Sequence, residues 1–258
     1  MMTQRERLEY LIKHLLAERG LTQPIPDDEE ERFRLFRALV NTREPMEDEA
    51  EFLAVQDEYL STYIAQKGVT KAAELPRCAG DSRVSIWQGD ITLLEADAIV
   101  NAANSAMLGC WVPNHACIDN CIHTFAGVQL RRDCGRIMRA QGHEEPTGAA
   151  KITPAYSLPA RYVLHTVGPI ISGPVTERDK ELLASSYRSC FGLAEEKGLE
   201  SIAYCCISTG VFRFPNDLAA EVAVKTVQEC LDKAKSVKHV VFNVFKDLDK
   251  VLYERILG

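Results

Sequence analysis

The densest group of chemically reactive side chains in the sequence lies in one short segment. Cys110, His115 and Cys117 fall within eight residues. Thiolates and an imidazole are ligands that zinc prefers, and three such ligands leave one tetrahedral position free for water or substrate. Asp119 follows two residues later and can act as a general acid or base, and the amide of Asn104 precedes the group. The spacing therefore indicates a metal site beside groups that can orient a small substrate.

The spacing alone leaves the ligand set open. The pattern Cys-x4-His-x-Cys is not that of a standard zinc finger, and Cys121 and His123 compete as ligands. Both competitors follow Cys117 closely, on the helix predicted near 114–125. His165 lies inside an apolar strand, where a structural role is expected. Packing in the core is also the expectation for the scattered cysteines, which are Cys78, Cys134, Cys190, Cys205, Cys206 and Cys230.

The elements that must position this segment alternate between strand and helix after about residue 80. Apolar runs predict buried strands at Val84–Trp87, Ala98–Val100, Tyr162–His165, Ile202–Cys205 and His239–Phe245. Helical patterns lie near 114–125, 128–140, 177–197, 216–235 and 247–256. Such alternation indicates an α/β domain with helices on both faces of a mostly parallel sheet. In such sheets, ligands bind beyond the carboxyl ends of the strands.

Two further strand exits carry residues that suit ligand binding. Asp90 follows the first strand, where its carboxylate can accept a hydrogen bond from an exocyclic amine such as that of adenine, or can cap the following turn. A Ser-Thr-Gly turn at 208–210 leads toward a helix near Pro215. Small residues there let backbone N–H groups approach a phosphate, and the helix dipole favours the anion. Phe212 can stack on a sugar or belong to the core.

Residues 1–75 show helical periodicity only. The acidic run Pro26–Glu30 suits the start of a second helix, and a third helix is predicted over about 47–66, with Gly68 as its stop. We predict two parts, a helical N-terminal extension over 1–75 and the α/β domain over 76–258. The extension is expected to pack on the main domain, and a partner-docking or substrate-selecting module is the alternative. No side chain in it predicts chemistry.

Composition and charge exclude several classes of protein. The 258 residues carry a net charge of −7. Residues 1–75 hold 16 Asp/Glu and 10 Lys/Arg, against 21 and 20 in the remainder, and neither part has the basic stripe that nucleic-acid binding requires. No apolar run reaches the roughly 20 residues that span a membrane. Nine cysteines without an export signal favour a reducing, cytoplasmic location.

Several motifs, taken together and in order, resemble those of a macrodomain. They are Gly89–Thr92, Val100–Asn104, Pro146–Thr153, Tyr162–Pro169 and Ile207–Pro215. The resemblance covers roughly residues 80–258. It implies a three-layer α/β/α fold with a mixed, mostly parallel central sheet that binds ADP-ribose.

The chain is similar to the MacroD-type hydrolase branch, except in its first loop. The glycine-rich loop of that branch is replaced here by Gly109–His123. The cysteines, the histidine and the helical extension make the chain similar to the zinc-containing macrodomains of some bacteria and fungi. Bacterial members of that group often accompany a sirtuin-type ADP-ribosyltransferase and a lipoyl-carrier protein, and are associated with reversing mono-ADP-ribosylation of that carrier. The resemblance also implies that His123 is structural, because it has a counterpart in metal-free relatives.

The resemblance assigns a role to each candidate site residue. For the adenine end of ADP-ribose, it implies that Asp90 binds the amine with support from the Ile91 backbone. For the distal ribose, it implies that Asn104 holds the sugar and that Phe212 packs on it. The diphosphate is expected to bind to the backbone amides of Ser208, Thr209, Gly210 and Val211. For the reaction, it implies Zn²⁺ held by Cys110, His115 and Cys117, with Asp119 positioning or activating water. The expected activity is zinc-dependent removal of ADP-ribose from acidic side chains of a mono-ADP-ribosylated protein.

Three alternatives accompany this prediction. An ADP-ribose reader would share the adenine and phosphate loops but would not turn over a modified protein. A deacetylase of O-acetyl-ADP-ribose would act on a small molecule at the same cleft. A structural zinc in a scaffold protein would stabilise the fold without taking part in ligand binding. Whether zinc or Asp119 activates the water also stays open at this level.

Overall fold

Three helices occupy the N-terminal part of the computed structural model, which describes residues 2–258. They are α1 (Gln4–Ala17), α2 (Glu29–Asn41) and α3 (Ala50–Lys67). Each boundary has a local cause. The Thr3 and Asp28 side chains accept hydrogen bonds from backbone N–H groups of the first turns of α1 and α2, and Gly68, at φ 91°, ends α3 as expected.

These helices enclose an apolar core of their own, which reaches into the following domain. Its buried members include Leu11, Phe36 and Leu60 from the three helices and Val128 from the α/β part. Stacked rings extend the contact, with Tyr63 of α3 centred 5.8 Å from Phe125. The extension is therefore packed on the main domain, as its apolar faces predicted.

The α/β part contains a six-stranded mixed sheet. Its strands are β2 (Val84–Gln88), β4 (Ala98–Ala102), β5 (Ala150–Pro154), β6 (Tyr162–Thr166), β7 (Ser201–Tyr204) and β8 (His239–Val244). They lie in the order β2-β8-β7-β4-β6-β5. All neighbours pair in parallel except β5, which runs antiparallel to β6. Two short strands, β1 (Thr70–Lys71) and β3 (Leu94–Glu95), form a separate parallel pair.

Helices cover both faces of this sheet. They are α4 (Ile118–Ala126), α5 (Val128–Gln141), α6 (Glu177–Glu196), α7 (Asn216–Leu231) and α8 (Asp247–Leu257). Neighbours α4 and α5 form one layer, against which the extension packs, while α6, α7 and α8 pack side by side in another. This is the predicted α/β/α architecture with a mostly parallel sheet and N-terminal helices. No helix within residues 2–258 is long and apolar enough to cross a membrane.

The structure differs from the prediction at three places that bear on function. Strand β5 was not predicted, because its residues are half-buried and lack an apolar run. The helix predicted near 114–125 begins only at Ile118, since Pro113 and a left-handed Asn114 (φ 57°) keep the preceding residues irregular. Strand β8 ends at Val244, which leaves Phe245 exposed.

Candidate active site

Three segments meet at the carboxyl edge of the sheet. They follow the parallel strands β2, β4 and β7, and they are the turn with Asp90, the 103–117 loop and the 205–214 loop respectively. Parallel strands of one sheet end at the same edge, so this is where an α/β fold places a ligand. The candidate residues from all three predicted strand exits therefore lie at one edge of the sheet.

The 103–117 loop brings the three predicted metal ligands together. The Cys110 and Cys117 sulfurs and a His115 ring nitrogen all lie within 4.8 Å of one another, on half-buried side chains. Cys117 also begins α4, where its Sγ accepts a hydrogen bond from the Asn120 N–H at 3.5 Å. Helix α4 thus holds one ligand while the irregular loop before it supplies the other two.

The chemistry of this donor set fits a zinc ion. Cys110 Sγ lies 3.6 Å from His115 Nδ1, close to the separation that bonds of about 2.3 Å to sulfur and about 2.0–2.1 Å to nitrogen produce around a tetrahedral zinc. Burial raises the pKa of the Cys117 thiol to about 12. A metal ion that replaces the proton relieves this cost, because zinc binds the thiolate.

The two competing ligands point elsewhere. The Cys121 sulfur accepts a hydrogen bond from Arg37 at 3.3 Å. His123 belongs to a second, fully buried group with Cys134 and His165. Both ring nitrogens of His165 already face partners, Asn101 Nδ2 at 3.2 Å and Thr153 Oγ1 at 3.0 Å, and burial lowers its pKa to about 3. The His123 ring makes no hydrogen bond within residues 2–258, its Nε2 lies 3.7 Å from Asp119 Oδ1, and burial holds its pKa well below the usual value. We therefore interpret both rings as neutral and structural, as predicted for both histidines.

Asp119 lies in the first turn of α4, directly behind Asn104. Its carboxylate accepts hydrogen bonds from Asn101 Nδ2 at 2.8 Å and from Asn104 Nδ2 at 3.3 Å. Burial raises its pKa to about 6, against the lowering effects of the Asn101 hydrogen bond and the Arg131 charge. The side chain is only 5 % exposed, so its two oxygens face the asparagine amides more than the open cleft.

Asn104 is held by three separate hydrogen bonds. Besides Asp119, its Nδ2 donates to the Gly109 carbonyl at 3.1 Å, and its Oδ1 accepts from the Ala106 N–H at 3.1 Å. A carbonyl oxygen has two lone pairs, so Oδ1 can still accept one hydrogen bond from a substrate hydroxyl. Gly109 directly precedes Cys110, which places this amide beside the proposed metal ligands.

Asp90 caps the short 3₁₀ turn Ile91–Leu93 that follows β2. Its Oδ1 accepts from the Thr92 N–H at 2.9 Å and from the Thr92 hydroxyl at 2.7 Å. The capping role considered from sequence is therefore present. The residue is nevertheless exposed, and Oδ2 receives no hydrogen bond from residues 2–258, so it can still accept from a ligand amine. Ile91 is buried beneath it.

The 205–214 loop forms a turn rich in free amides. Ser208 has a left-handed φ of 66°, and the Phe214 N–H folds back onto its carbonyl at 3.0 Å. Within the described chain, no hydrogen bond is made by four N–H groups of this turn, those of Ser208, Gly210, Val211 and Phe212. Gly210 and Val211 are exposed. The Thr209 N–H, which was also predicted to bind the diphosphate, instead donates to the Cys206 carbonyl at 3.4 Å. Clustered unpaired amides of this kind form an anion-binding concavity.

Phe212 and the neighbouring loop after β6 brace this turn. The Phe212 carbonyl accepts a hydrogen bond from the Ile171 N–H at 2.8 Å, and its half-buried ring stands beside the exposed amides. Gly168 lies against Ser208, where a Cβ on the glycine would come within 2.1 Å of Ser208 Oγ. The two loops therefore pack so closely that a side chain at residue 168 would have to displace the Ser208 and Ile207 side chains.

Sequence reasoning missed several residues around the site. Phe245 was predicted to be buried in a strand but is 76 % exposed. It lies next to Gln88, whose Nε2 donates to its carbonyl at 3.3 Å, and an exposed ring can stack on a planar base. Asn120, buried under the metal ligands, and Arg37 and Asn41 of α2 were also missed. Only contacts in the folded structure indicate that these three residues belong to the site.

Comparison with known proteins is consistent with this site. Residues 100–223 match the family model described as "Macro domain". The chain is 57 % identical over its full length to the full length of a "Protein-ADP-ribose hydrolase" of Treponema medium. Over 69 % of its length it is 45 % identical to a "Probable bifunctional ADP-ribose hydrolase/ADP-ribosyltransferase" of Fusarium oxysporum, of which it spans 32 %.

Among solved structures, a Trypanosoma brucei macrodomain in complex with ADP-ribose has a similar fold. The two superpose with a TM-score of 0.65 at 30 % identity, over 86 % of this chain and 95 % of that one. The full-length match to a named hydrolase and the shared α/β/α fold lead to one assignment. The chain belongs to the macrodomain family, in the group of its protein-ADP-ribose hydrolases, and it is a hydrolase.

Proposed function

We propose that this hydrolase releases ADP-ribose from acidic side chains of a mono-ADP-ribosylated protein, with Zn²⁺ held by Cys110, His115 and Cys117. One observation carries the proposal: three convergent zinc-type ligand atoms lie next to the Asn104–Asp119 pair at the ligand-binding edge of the sheet. When bound there, zinc supplies an open coordination position and lowers the pKa of a coordinated water to about 7. The products are free ADP-ribose and the restored carboxylate.

Asn104 and Asp119 orient the distal ribose in this proposal. The Asn104 Oδ1 accepts a hydrogen bond from a ribose hydroxyl near the anomeric carbon, while its Nδ2 donates hydrogen bonds to Asp119 and to the Gly109 carbonyl. Because the Asp119 carboxylate is buried and shared between Asn101 and Asn104, it acts by fixing Asn104. In this proposal Asp119 does not activate water, and that role would fall to the metal site.

The turn around Ser208 binds the diphosphate in this proposal. The free N–H groups of Ser208, Gly210 and Val211 donate to the phosphate oxygens, and the start of α7 at Asn216 adds a favourable dipole. Phe212 packs on the distal ribose between this turn and the metal site. At the opposite end, the free Oδ2 of Asp90 accepts from the adenine amine.

Substituting Gly168→Ala is expected to weaken ADP-ribose binding through this turn. The new Cβ would lie 2.1 Å from Ser208 Oγ and 2.7 Å from Ile207 Cγ2, so the loop must shift. Overpacking of this kind costs about 1–3 kcal/mol of folding stability. If the ligand requires the turn in its undisplaced position, this cost falls on binding, and its upper range is roughly 5- to 150-fold in the Kd measured by calorimetry. Gly173→Ala is the matched control, since its Cβ would meet no atom within 4 Å. Equal affinities of the two variants would contradict the placement of the diphosphate.

The proposed partners are a sirtuin-type ADP-ribosyltransferase and a lipoyl-carrier protein as the modified target. Two arguments support this choice. The sequence resembles the zinc-containing macrodomains that accompany such a pair, and the Fusarium relative combines hydrolase and transferase in its name. A hydrolase of this kind would reverse the modification that the transferase installs.

The decisive test compares linkages and metal dependence in one assay. Carrier proteins modified on Asp/Glu, Ser or Arg are each incubated with the enzyme, with and without a zinc chelator, and released ADP-ribose is quantified. We expect release only from the carboxylate-linked protein and only without chelator. Tight ADP-ribose binding without release from any protein would identify a reader instead. Turnover confined to O-acetyl-ADP-ribose would identify a small-molecule deacetylase.

A further inference from the structure

Helix α2 of the extension contacts the segment that carries the proposed metal ligands. Arg37 Nη2 donates to the His115 carbonyl at 2.7 Å and to Asn120 Oδ1 at 2.8 Å, and Arg37 Nε reaches the same oxygen at 3.2 Å. The planar guanidinium suits several acceptors at once, since its donors are fixed in a fork. The Arg37 side chain thus binds the backbone of one proposed ligand, His115, and also binds Asn120, which contacts the other two.

Asn120 connects Arg37 to the rest of the loop through hydrogen bonds. Its Nδ2 donates to the Cys110 carbonyl at 3.3 Å and to the Val112 carbonyl at 3.0 Å, while its backbone N–H donates to Cys117 Sγ at 3.5 Å. The charge of Arg37 strengthens the hydrogen bond to Asn120 Oδ1 and fixes which way the amide faces. Both cysteine ligands are therefore attached to Asn120.

Asn41, the last residue of α2, holds the turn just before His115. Its Oδ1 accepts from the Asn114 N–H at 2.9 Å, and its Nδ2 donates to the Thr124 hydroxyl at 3.0 Å. Asn114 has a left-handed φ of 57°, a conformation that asparagine adopts more readily than most residues but that no helix or strand hydrogen bonds support here. The buried Asn41 amide supplies that support and links the turn to α4.

Arg131 of α5 completes the connection from the other side. Its Nη1 donates to the Val40, Asn41 and Arg43 carbonyls at 3.0, 2.8 and 2.8 Å. Its guanidinium lies 4.3 Å from the centre of the Trp111 ring, within the same loop. The end of α2 and the ligand loop are therefore fixed to each other through a third element.

We infer that Arg37 and Asn41 are positioning residues of the metal centre, and that α2 serves to hold the three ligand atoms in place before the ion arrives. The inference rests on the proposed zinc site. A loop without such support loses conformational entropy when it becomes ordered around the metal ion. This loss lowers the affinity for the metal. Residues that orient metal ligands typically change affinity by roughly 10- to 100-fold when mutated.

The test measures zinc release from the intact chain. Zinc-loaded wild type, Arg37→Met, Arg37→Lys and Asn41→Ala are mixed with a chromogenic chelator, and the rate of metal transfer is followed. Arg34→Met is the matched control, because Arg34 is exposed on the same helix. We expect release to be roughly 10- to 100-fold faster from Arg37→Met and Asn41→Ala and unchanged from Arg34→Met. Arg37→Lys keeps the charge but lacks the fork, so its release is also faster.

Thermal unfolding and the affinity for ADP distinguish positioning from a general loss of structure. Folded variants should keep the wild-type affinity for ADP, whose adenine and diphosphate lie away from the metal loop. Wild-type release rates from folded Arg37→Met and Asn41→Ala would overturn the inference while leaving the zinc site intact. If Arg37→Met does not fold, the rates of Arg37→Lys and Asn41→Ala decide. A wild-type chain that binds no zinc would instead overturn the proposed function, and the inference with it.

Discussion

A Cys117→Ser variant is expected to lose its zinc and its turnover together. The serine hydroxyl is a poor zinc ligand and remains protonated, so two ligands are left where a stable site needs three. Because loss of a residue that only orients a ligand already costs roughly 10- to 100-fold, we expect turnover to fall by more than about 100-fold. Metal content by atomic spectroscopy and ADP-ribose release from a carboxylate-linked protein are measured on the same preparation.

A second cysteine variant controls for the loss of a thiol. Cys230→Ser removes a half-buried cysteine in α7, outside the candidate site, and should keep both zinc and activity. Affinity for ADP-ribose in Cys117→Ser should fall much less than turnover, because the adenine and diphosphate contacts lie in other loops. A metal-free Cys117→Ser protein with full activity would show that the ion is structural or absent from the reaction.

An Asp119→Asn variant is expected to lower kcat by roughly 100-fold or more. The carboxylate accepts from the Asn101 and Asn104 amides through different oxygens. In the variant one of these oxygens becomes an NH2 group, so a donor faces the amide of either Asn101 or Asn104, and the hydrogen bonds that hold Asn104 must rearrange. Misplacement of an orienting group by about 1 Å is enough to cost roughly 100-fold. Single-turnover rates separate this effect from substrate binding.

A double variant tests whether Asp119 acts through Asn104. If the carboxylate works only by holding the amide, Asn104→Ala combined with Asp119→Asn should be no slower than the worse single variant. Multiplying losses would instead assign Asp119 an independent step, such as proton transfer. Asp57→Asn is the matched control, because Asp57 also accepts from a side-chain amide, Gln129 Nε2 at 2.8 Å, but lies outside the site.

The fold was largely predictable because its signals are local. Buried parallel strands are short apolar runs, and their helices repeat every three to four residues. Thus β2, β4 and β6 start at the predicted residues. Strand β5 was missed because it is an edge strand whose only partner is β6, so it is half-buried and has no apolar run. Its place in the sheet depends on that pairing.

The ligand group was predictable in part for the same reason. Cys110, His115 and Cys117 are close in sequence, so a single loop brings them together. The spacing did not predict which way the two alternative ligands, Cys121 and His123, point in the fold. Cys121 faces Arg37, which is 84 residues away in the chain, and His123 faces an interior formed with Cys134 and His165.

By itself, the sequence determined the α/β/α class, the helical extension and the segment that carries the chemistry, since each depends on residues near one another in the chain. The tertiary structure alone decided that Asp119 contacts Asn104, and that the extension contacts the loop with the proposed metal ligands. Arg37 and Asn41 reach their partners across 73 to 84 residues. Such contacts depend on how helices pack, and helical periodicity shows only which face of α2 is apolar. The polar groups beside that face gain partners only when the chain has folded.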